Sequence, residues 1–293
     1  MNPVNTKPYQ LPADATWFVT GCSTGIGRAL ATHVASVPVF RTSTTITRPA
    51  ILKLALDVTQ PSAVDAAFMA TAAHFGGSYY IDVVVNNAGY SLSGDTESVT
   101  EYEMHDEFEV NFFGTVRIAL KAVEVMRQSK SRRGGLIFNI SSLAGICTFP
   151  GHAFYHASKH AVEGWSESVA REMHPDWNIH VCIVEPSTVN TNFETSSKKK
   201  TKPHPAYAGN DMPARQLERF VKQGIASGVG FEPSAVANAL YNVASRNEKV
   251  PLRLPLSVTA TKLITMKLQG QLEELEAHGA LSALDADKAQ FDL

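Results

Sequence analysis

The sequence predicts an α/β protein built on a doubly wound parallel sheet with helices on both faces. Short apolar runs rich in valine and isoleucine recur along the chain, and stretches with helical character separate them. Near-continuous apolar strands that alternate with helices are typical of a parallel sheet buried on both sides. The 293 residues contain no internal repeat and no linker, so we expect a single domain spanning residues 1–293.

Predicted strands and helices alternate along most of the chain. The apolar runs indicate strands at residues 16–20, 81–85, 135–140 and 180–185. The stretches around them predict helices at residues 25–35, 61–75, 101–127, 154–173, 233–245 and 257–278. The second and third strands are assigned to residues 37–42 and 51–57. Only residues 43–50 are left to connect them, and a parallel crossover usually takes about a dozen residues, so we expect an extended loop there.

Composition argues against several function classes. The 26 Lys and Arg residues against 28 Asp and Glu residues give a formal net charge of -2, so no overall positive field attracts nucleic acid or an anionic membrane. Cys22, Cys147 and Cys182 form no CxxC pair and no cluster with histidine, which indicates reduced thiols and no metal site. The sequence shows neither a signal peptide nor a membrane span, and we expect a cytoplasmic protein.

The most polar stretch, residues 194–210, follows the strand that ends at Glu185. It combines three consecutive lysines with two prolines, which predicts a mobile loop. In open α/β sheets ligands bind beyond the carboxyl ends of the strands, where this loop begins. We therefore interpret residues 192–230 as a lid over a substrate in preference to an anion-binding patch. Residues 257–293 are interpreted as a C-terminal helical extension.

A glycine-rich turn follows the first strand, with the sequence TGCSTGIG at residues 20–27. Gly21, Gly25 and Gly27 suit a tight turn, a close approach of backbone to phosphate, and close packing of helix on strand. The helix that follows directs amide groups and the positive end of its dipole at the turn. The pattern favours a pyrophosphate site, although an ordinary strand-to-helix turn looks similar in isolation.

Polar residues with catalytic potential follow the later strands. An NNAG turn at residues 86–89 follows the strand 81–85, and Ser142 follows a buried strand. Tyr155 stands thirteen residues after Ser142, and Lys159 lies one helical turn further, on the same face. An ammonium stabilises the phenolate of a neighbouring tyrosine, whose pKa is ordinarily near 10, and so makes it a usable acid or base. Alone, the pair is a common surface pattern; the motifs in this order favour a catalytic site.

Taken together, these motifs resemble the short-chain dehydrogenase/reductase family over about residues 14–255. The resemblance rests on the glycine turn, NNAG, the Asn of VNF, the Ser142 hydroxyl, and YHASK beginning at Tyr155. It implies a Rossmann-like fold and an NAD(P)(H)-dependent oxidoreductase acting on a carbonyl/alcohol pair. In that family the serine, here Ser142, polarises the substrate carbonyl and the tyrosine, here Tyr155, exchanges the proton. Lys159 then corresponds to the lysine that lowers the tyrosine pKa and holds the nicotinamide ribose, and Asn111 to the asparagine that positions a water in the proton relay.

The resemblance also implies a set of cofactor-binding residues. Asp57 matches the position that meets the adenine, and residues 186–191 match the segment beside the nicotinamide amide, with Ser187 in place of the commoner glycine. Tyr155 and Lys159 contact the cofactor as well. The remaining implied residues are Gly21, Ser23, Thr24, Gly25, Ile26, Gly27, Arg41, Val58, Asn87, Ala88, Gly89, Pro186, Thr188 and Thr191.

A narrower resemblance concerns the substrate. TGCSTGIG, the VEP before Ser187 and the long C-terminal helix are similar to the branch that holds retinol and 17β-hydroxysteroid dehydrogenases and many fungal relatives. It implies an apolar ketone or secondary alcohol, such as a natural-product intermediate. Two alternatives remain open at this point: a cofactor-dependent isomerase, dehydratase or cyclase without net redox change, and a non-catalytic dinucleotide sensor. The complete set of Ser142, Tyr155 and Lys159 argues against the sensor.

Association is implied by the same resemblance, because family members usually pack through the helices at 101–127 and 154–173. We expect a homodimer or homotetramer. The alternative is a monomer whose C-terminal helix covers exposed apolar surface, through Leu263, Met266, Leu272 and Leu275.

Charge near the second strand favours NADP(H), with NAD(H) as the alternative. No Asp or Glu lies between Gly27 and Asp57 to accept the ribose hydroxyls and repel a 2′-phosphate. Arg41 and Arg48 lie where the second strand should end, and a guanidinium holds a phosphate through paired charge-assisted hydrogen bonds. Arg41 is the first candidate, and two solvated arginines on a loop are the alternative. The short connection at 43–50 predicts an open or distorted adenosine end.

Overall fold

Two parallel sheets are present in the computed structural model, which describes residues 3–36, 51–76, 80–128 and 133–282. The strands in chain order are β1 (Trp17–Val19), β2 (Val83–Asn86), β3 (Leu92–Ser93), β4 (Gly135–Ile140), β5 (Ile179–Pro186), β6 (Lys199–Lys200) and β7 (Arg253–Leu256). The main sheet has the order β1-β2-β4-β5-β7 with every pair parallel. The short strands β3 and β6 form the second sheet.

Helices cover both faces of the main sheet. In chain order they are α1 (Gly25–Ser36), α2 (Pro61–Phe75), α3 (Glu101–Phe108), α4 (Thr115–Gln128), α5 (Ala153–Glu172), α6 (Pro213–Ala226), α7 (Pro233–Ser245) and α8 (Val258–Ser282). Helices α1 and α7 bury Leu30 and Leu240 against one face. Helices α2 and α4 bury Phe68 and Ile118 against the other.

The side chains of β2 show why the strands are continuously apolar. Val83 and Val85 pack into the core on the α1 and α7 side, whereas Val84 packs into the core on the α2 and α4 side. Successive side chains of a strand point to opposite faces, so a strand covered on both sides is apolar at most of its positions. The predicted doubly wound parallel sheet is confirmed.

The helix predicted at residues 101–127 is interrupted. A capping box starts α3, in which the Glu103 amide donates to the Thr100 hydroxyl and the Thr100 amide donates to the Glu103 carboxylate. A π-helical turn at Glu109–Gly114 then separates α3 from α4. Such a turn widens the helix by one residue and gives no signal in the apolar spacing, so the sequence pattern missed it.

The strand predicted at residues 51–57 is wrong. These residues have no regular secondary structure and pair with no strand in the described part of the chain, and Ile51 and Leu54 are exposed. Without a neighbour on its hydrogen-bonding edge, an apolar run cannot be told from a strand by spacing alone. The predicted second strand at 37–42 and the connection at 43–50 lie outside the described residues.

Two elements near the carboxyl end of the chain were missed. β7 contains Pro255, which normally argues against a strand, and it pairs only with β5 in the described structure. Helix α6 lies inside the stretch interpreted as a lid and begins with Pro213 at its first position, where a missing N–H costs nothing.

Helix α8 runs four residues beyond its predicted end. Leu263 packs beside a small core cluster, as the monomer alternative requires, but Met266, Leu272 and Leu275 are exposed. That part of the alternative is therefore wrong. Among the described residues, no helix combines the length and apolar character needed to cross a membrane.

Candidate active site

The glycine-rich turn joins β1 to α1 and requires glycine at each of its three positions. Gly21 and Gly25 have φ angles of +67° and +56°, a region that L side chains rarely adopt. A Cβ on Gly27 would lie 2.5 Å from the Gly21 carbonyl oxygen and 2.6 Å from Asn87 Nδ2. Helix α1 begins at Gly25, so its first free amides face the turn.

Thr20 ties this turn to the NNAG turn. Its hydroxyl oxygen accepts from the backbone amides of Asn87 and Ala88, both at 3.0 Å. The Asn87 side-chain amide donates to the carbonyls of Thr20 and Gly21 at 3.0 and 3.1 Å. Thr20 was not among the predicted site residues. The available signal was a hydroxyl at the end of a buried strand, directly before the first glycine.

Asn111 lies in the π-helical turn and fixes the chain that follows NNAG. Its Oδ1 accepts from the Tyr90 amide at 3.0 Å, and its Nδ2 donates to the Tyr90 carbonyl at 2.9 Å and to Ser158 Oγ at 3.1 Å. Both Nδ2 hydrogens are therefore used within the protein. The Thr115 hydroxyl donates to the Asn111 carbonyl at 2.9 Å. The structure thus gives the Asn111 side chain a bracing role between three segments.

Ser142, Tyr155 and Lys159 converge at the carboxyl end of β4. Tyr155 is 9% exposed and Lys159 6% exposed. Lys159 Nζ donates to the Ile140 carbonyl at 2.8 Å and lies 5.8 Å from the centre of the Tyr155 ring. The Ser142 hydroxyl accepts from the Ala144 amide at 3.1 Å and lies close enough to the Tyr155 phenol to lower its pKa. The neighbouring Ser141 hydroxyl instead approaches Glu163, as expected if the two serines point to opposite sides.

The two turns and the Ser142, Tyr155 and Lys159 side chains form one continuous site. A Cβ on Gly89 would lie 2.9 Å from Asn111 Oδ1 and 3.8 Å from Lys159 Nζ. The backbone of the NNAG turn thus passes directly beside the lysine, and its other end holds the glycine turn.

Burial dominates the protonation of these groups. It raises the pKa of Tyr155 above its usual range; the neighbouring Ser142 hydroxyl lowers this pKa, and the nearby Glu107 and Glu194 carboxylates raise it. Burial lowers the pKa of Lys159 to about 8, against the charges of Glu107 and Glu163. The surroundings therefore favour a neutral phenol, and an ammonium that persists at neutral pH.

His156, inside the YHASK motif, is a structural residue that sequence reasoning did not single out. Its Nδ1 lies 2.7 Å from the His152 carbonyl, and its Nε2 accepts from the Phe149 amide at 2.8 Å. One nitrogen donates and the other accepts, so the ring is neutral. Burial accordingly lowers the pKa of His156 to about 4. The ring fixes the segment before α5 next to Tyr155.

The segment after β5 that was predicted to bind the cofactor, residues 186–191, reaches the glycine turn. Pro186 ends β5 and Thr188 is exposed. A Cβ on Gly25 would lie 3.2 Å from Thr191 Cγ2, so Thr191 packs on the start of α1. Ser187 Oγ lies 2.7 Å from Ser257 Oγ. In the glycine turn, Ser23 and Thr24 are exposed and Ile26 packs against the core.

The predicted residues at the adenosine end are only partly described. Asp57 is exposed, and its Oδ1 accepts from the amide and hydroxyl of Thr59 at 2.9 and 2.8 Å. Val58 is buried, and a Cβ on Gly114 would lie 2.6 Å from its Cγ2. Arg41 and Arg48 lie outside the described residues. No group of three metal-binding side chains is present in the residues described.

The stretch interpreted as a lid contains β6 and α6 and reaches the candidate acid/base. The ring of Phe193 lies 5.9 Å from that of Tyr155. β6 pairs with β3, and Lys199 Nζ contacts Asp106 Oδ2 at 2.5 Å while lying 4.3 Å from the centre of the Tyr90 ring. Backbone pairing with β3 and the ion pair with Asp106 hold part of the segment predicted as a mobile loop at 194–210 against β3 and α3.

The chain is similar to known oxidoreductases over nearly its whole length. A family model described as short chain dehydrogenase matches residues 15–202. The oxidoreductase calM of Penicillium decumbens is 76% identical over 302 residues, which cover 99% of each chain. Retinol dehydrogenase 8 of Homo sapiens is 31% identical over 277 residues, 87% of this chain and 85% of that protein.

A solved structure supports the same assignment. The crystal structure of a short-chain dehydrogenase from Streptomyces avermitilis matches with a TM-score of 0.76 and 31% identity, covering 92% of this chain and 98% of that one. The family match spans well over half of the chain and includes the glycine turn, NNAG, Ser142, Tyr155 and Lys159. The protein therefore belongs to the short-chain dehydrogenase/reductase family and is an oxidoreductase of that family.

Proposed function

We propose that the protein interconverts a ketone or aldehyde and the corresponding alcohol on a small, apolar substrate, with NADP(H) as cofactor and Tyr155 as acid and base. The observation that carries the proposal is the buried convergence of Ser142, Tyr155 and Lys159 beside the NNAG backbone. The apolar character of the substrate is supported by the Phe193 ring beside Tyr155 and by the similarity to a retinol dehydrogenase.

The residues present fit a nicotinamide dinucleotide. Added Cβ atoms on Gly21, Gly27 and Gly89 would collide with protein atoms at 2.5 to 2.9 Å, so glycine at these positions lets the two turns and the start of α1 pack closely together, with the first free amides of α1 at the turn. The turn at 21–27 would hold the pyrophosphate at the start of α1. Asn87, Ala88, Gly89, Pro186, Thr188 and Thr191, with Asp57 and Val58, would line the rest of its length. When bound, the dinucleotide supplies or accepts the hydride.

The chain's own residues handle the proton. In the reducing direction the Tyr155 hydroxyl gives its proton to the substrate oxygen, and in the oxidising direction the phenolate takes it back. The Ser142 hydroxyl, which lies near the phenol, orients the substrate oxygen beside it. The Lys159 ammonium, held by the Ile140 carbonyl, stabilises the phenolate. Because burial lowers the pKa of Lys159 to about 8, this stabilisation is present at neutral pH and is lost as the pH rises through about 8.

Tyr155→Phe tests the assigned role most directly. It removes only the proton-carrying oxygen, so we expect kcat to fall by more than about tenfold, or about 1.4 kcal/mol of transition-state stabilisation, with cofactor affinity nearly unchanged. Retention of more than a tenth of the wild-type kcat contradicts the role. Ser142→Ala should likewise lower kcat, and Ser141→Ala is the matched control because its hydroxyl points elsewhere. Lys159→Ala should weaken both kcat and cofactor affinity.

The cofactor preference rests on charge. Arg41, with Arg48 as the second candidate, is proposed to hold the 2′-phosphate of NADP(H), because no carboxylate lies between Gly27 and Asp57 to select NAD(H). Titration of both cofactors against the wild type, Arg41→Ala and the Arg41→Ala/Arg48→Ala double variant measures the preference. Equal wild-type affinities, or a ratio unchanged in the double variant, refute the proposal.

Three further expectations complete the proposal. Residues 192–230 act as the substrate lid, supported by the approach of Phe193 to Tyr155. The chain assembles as a homodimer or homotetramer through α3, α4 and α5, and it works in the cytoplasm. A screen of ketones and alcohols followed by nicotinamide absorbance identifies the substrate class. Product formation without a change in absorbance would instead indicate isomerisation, dehydration or cyclisation.

A further inference from the structure

Helix α8 leaves the body of the protein after two turns. Ala260 and Ile264 are buried against Leu143 and Cys147, but every residue from 265 to 281 is exposed. In water, packing of an amphipathic face normally supplies most of the stability of a helix. A helical stretch of this length away from the body indicates a contact surface for another molecule.

An apolar stripe runs along the exposed part of α8. Leu268, Leu272 and Leu275 follow one another at spacings of four and three residues, which places them on one face. They are 54%, 49% and 71% exposed. This stripe lies on a helix that is otherwise solvated, so it has the form of one half of a helix–helix interface.

Charges flank the stripe with opposite signs at the two ends. Lys262 and Lys267 lie in the first half of the helix, and Glu273, Glu274 and Glu276 lie in the second half. Lys267 and Glu274 are seven residues apart and share one side of the stripe, since about seven residues make two turns. Lys262 and Glu276, about four turns apart, share the other side.

We propose that α8 pairs with α8 of a second copy of this chain in an antiparallel, two-fold symmetric interface. The pairs Leu268 with Leu272, Lys267 with Glu274, and Lys262 with Glu276 have their midpoints between residues 269 and 271. A two-fold axis at that point brings each residue against its counterpart on the partner helix, as an isologous interface demands.

Two other occupants fit the stripe less well. In a parallel pair the basic ends would lie together and the acidic ends would lie together, so like charges would flank the stripe. An anionic membrane would meet Glu273, Glu274 and Glu276 near the interface, where they would be repelled. The antiparallel copy is the partner that satisfies both the apolar stripe and the charges.

Charge reversal separates this interface from any other one. Lys267→Glu and Glu274→Lys each place like charges opposite one another at two symmetric contacts, and the double variant restores opposite charges. We expect each single variant to weaken the α8-dependent association step roughly tenfold in sedimentation velocity, and the double variant to recover it. Met266→Glu, an exposed change on the opposite face of the same helix, is the control and should leave association unchanged.

Several results would overturn the proposal. One is a wild type that sediments with the same oligomeric state as the double variant Leu268→Glu/Leu272→Glu. Others are single variants that associate like the wild type, and a double variant that stays as dissociated as the singles. Binding to vesicles of phosphatidylcholine and phosphatidylserine, weakened by Lys267→Glu and strengthened by Glu274→Lys, would assign the stripe to a membrane instead. Far-UV circular dichroism and kcat, unchanged in all variants, verify that the body is intact.

Discussion

Replacement of Glu185 by Gln should change how stability depends on pH. Glu185 is fully buried near the end of β5, and the buried Glu163 carboxyl lies next to it. The Arg253 guanidinium serves both, with Nε 3.3 Å from Glu163 Oε2 and 3.5 Å from Glu185 Oε1, and it also pairs with Glu167 at 2.8 Å. One cation therefore faces three carboxyl groups. Burial, followed by the Glu163 charge, raises the pKa of Glu185 to about 8.

The sign and size of the effect follow from proton linkage. A glutamate in the unfolded chain has a pKa of about 4.3, so between pH 5 and 7 the folded protein keeps a proton that the unfolded chain has lost. Stability must then fall as the pH rises through this window. Each pH unit costs about 1.36 kcal/mol, so the two units cost roughly 2.5 kcal/mol. Glutamine has no carboxyl proton to lose, so Glu185→Gln does not show this fall in the free energy of unfolding between pH 5 and 7.

Urea unfolding at pH 5, 6 and 7 measures the difference. The free energy of unfolding of Glu185→Gln, relative to the wild type, should rise by roughly 2.5 kcal/mol from pH 5 to 7, with equal m values. Titrating groups that do not interact with Glu185 cancel because both proteins carry them, and Glu163, freed of its carboxyl neighbour, contributes to the difference in the same pH window. Glu172→Gln, at the exposed end of α5, should follow the wild-type curve. A difference between Glu185→Gln and the wild type that stays constant with pH would refute the reasoning.

Three further outcomes are expected. Gly27→Ala should lower the melting temperature and weaken NADPH binding, because the added Cβ would lie 2.5 Å from a backbone oxygen. Gly270→Ala is the control: it lies in open space on α8 and should be neutral or stabilising by up to about 1 kcal/mol. Lys199→Met, which removes the ion pair of β6 with α3, should raise KM severalfold at an unchanged melting temperature. We expect stability to fall between pH 6.5 and 4, because burial holds the His156 ring neutral in the folded protein, and thermal unfolding of His156→Asn should show a smaller fall. Equal melting temperatures for Gly27→Ala and Gly270→Ala would contradict the first prediction. An unaltered KM in Lys199→Met would contradict the second, and an unaltered pH dependence of stability in His156→Asn would contradict the third.

The sequence could predict the parts of the fold in which local pattern and long-range packing agree. Apolar runs at β2, β4 and β5 are buried on both faces, so their composition alone carries the parallel sheet. The three glycines of the turn were recognisable because positive φ angles and close backbone contact leave glycine as the only fitting residue.

Other parts depend on partners that spacing does not reveal. The run at 51–57 has strand-like composition but no neighbouring strand in the described residues, and β7 is a strand despite its proline. The bracing contacts of Thr20 and Asn111 join segments more than 20 residues apart, so no local pattern encodes them. In the same way, Lys199 and Asp106 meet only because β6 is paired with β3.

The π-helical turn at Glu109–Gly114 rotates the side chains of α4 about the helix axis relative to those of α3. In α3, the Glu107 carboxylate accepts from the Leu92 amide at 2.6 Å. In α4, Ile118 and Ala122 face the main sheet. A uniform helix advances about 100° per residue, so removing one residue here would rotate one half by about that angle against the other. Either the contacts of Ile118 and Ala122 with the main sheet or the hydrogen bond of Glu107 with Leu92 in β3 would then be lost. A one-residue deletion in this turn should therefore be far more damaging than any single substitution in α4, although it removes no catalytic atom.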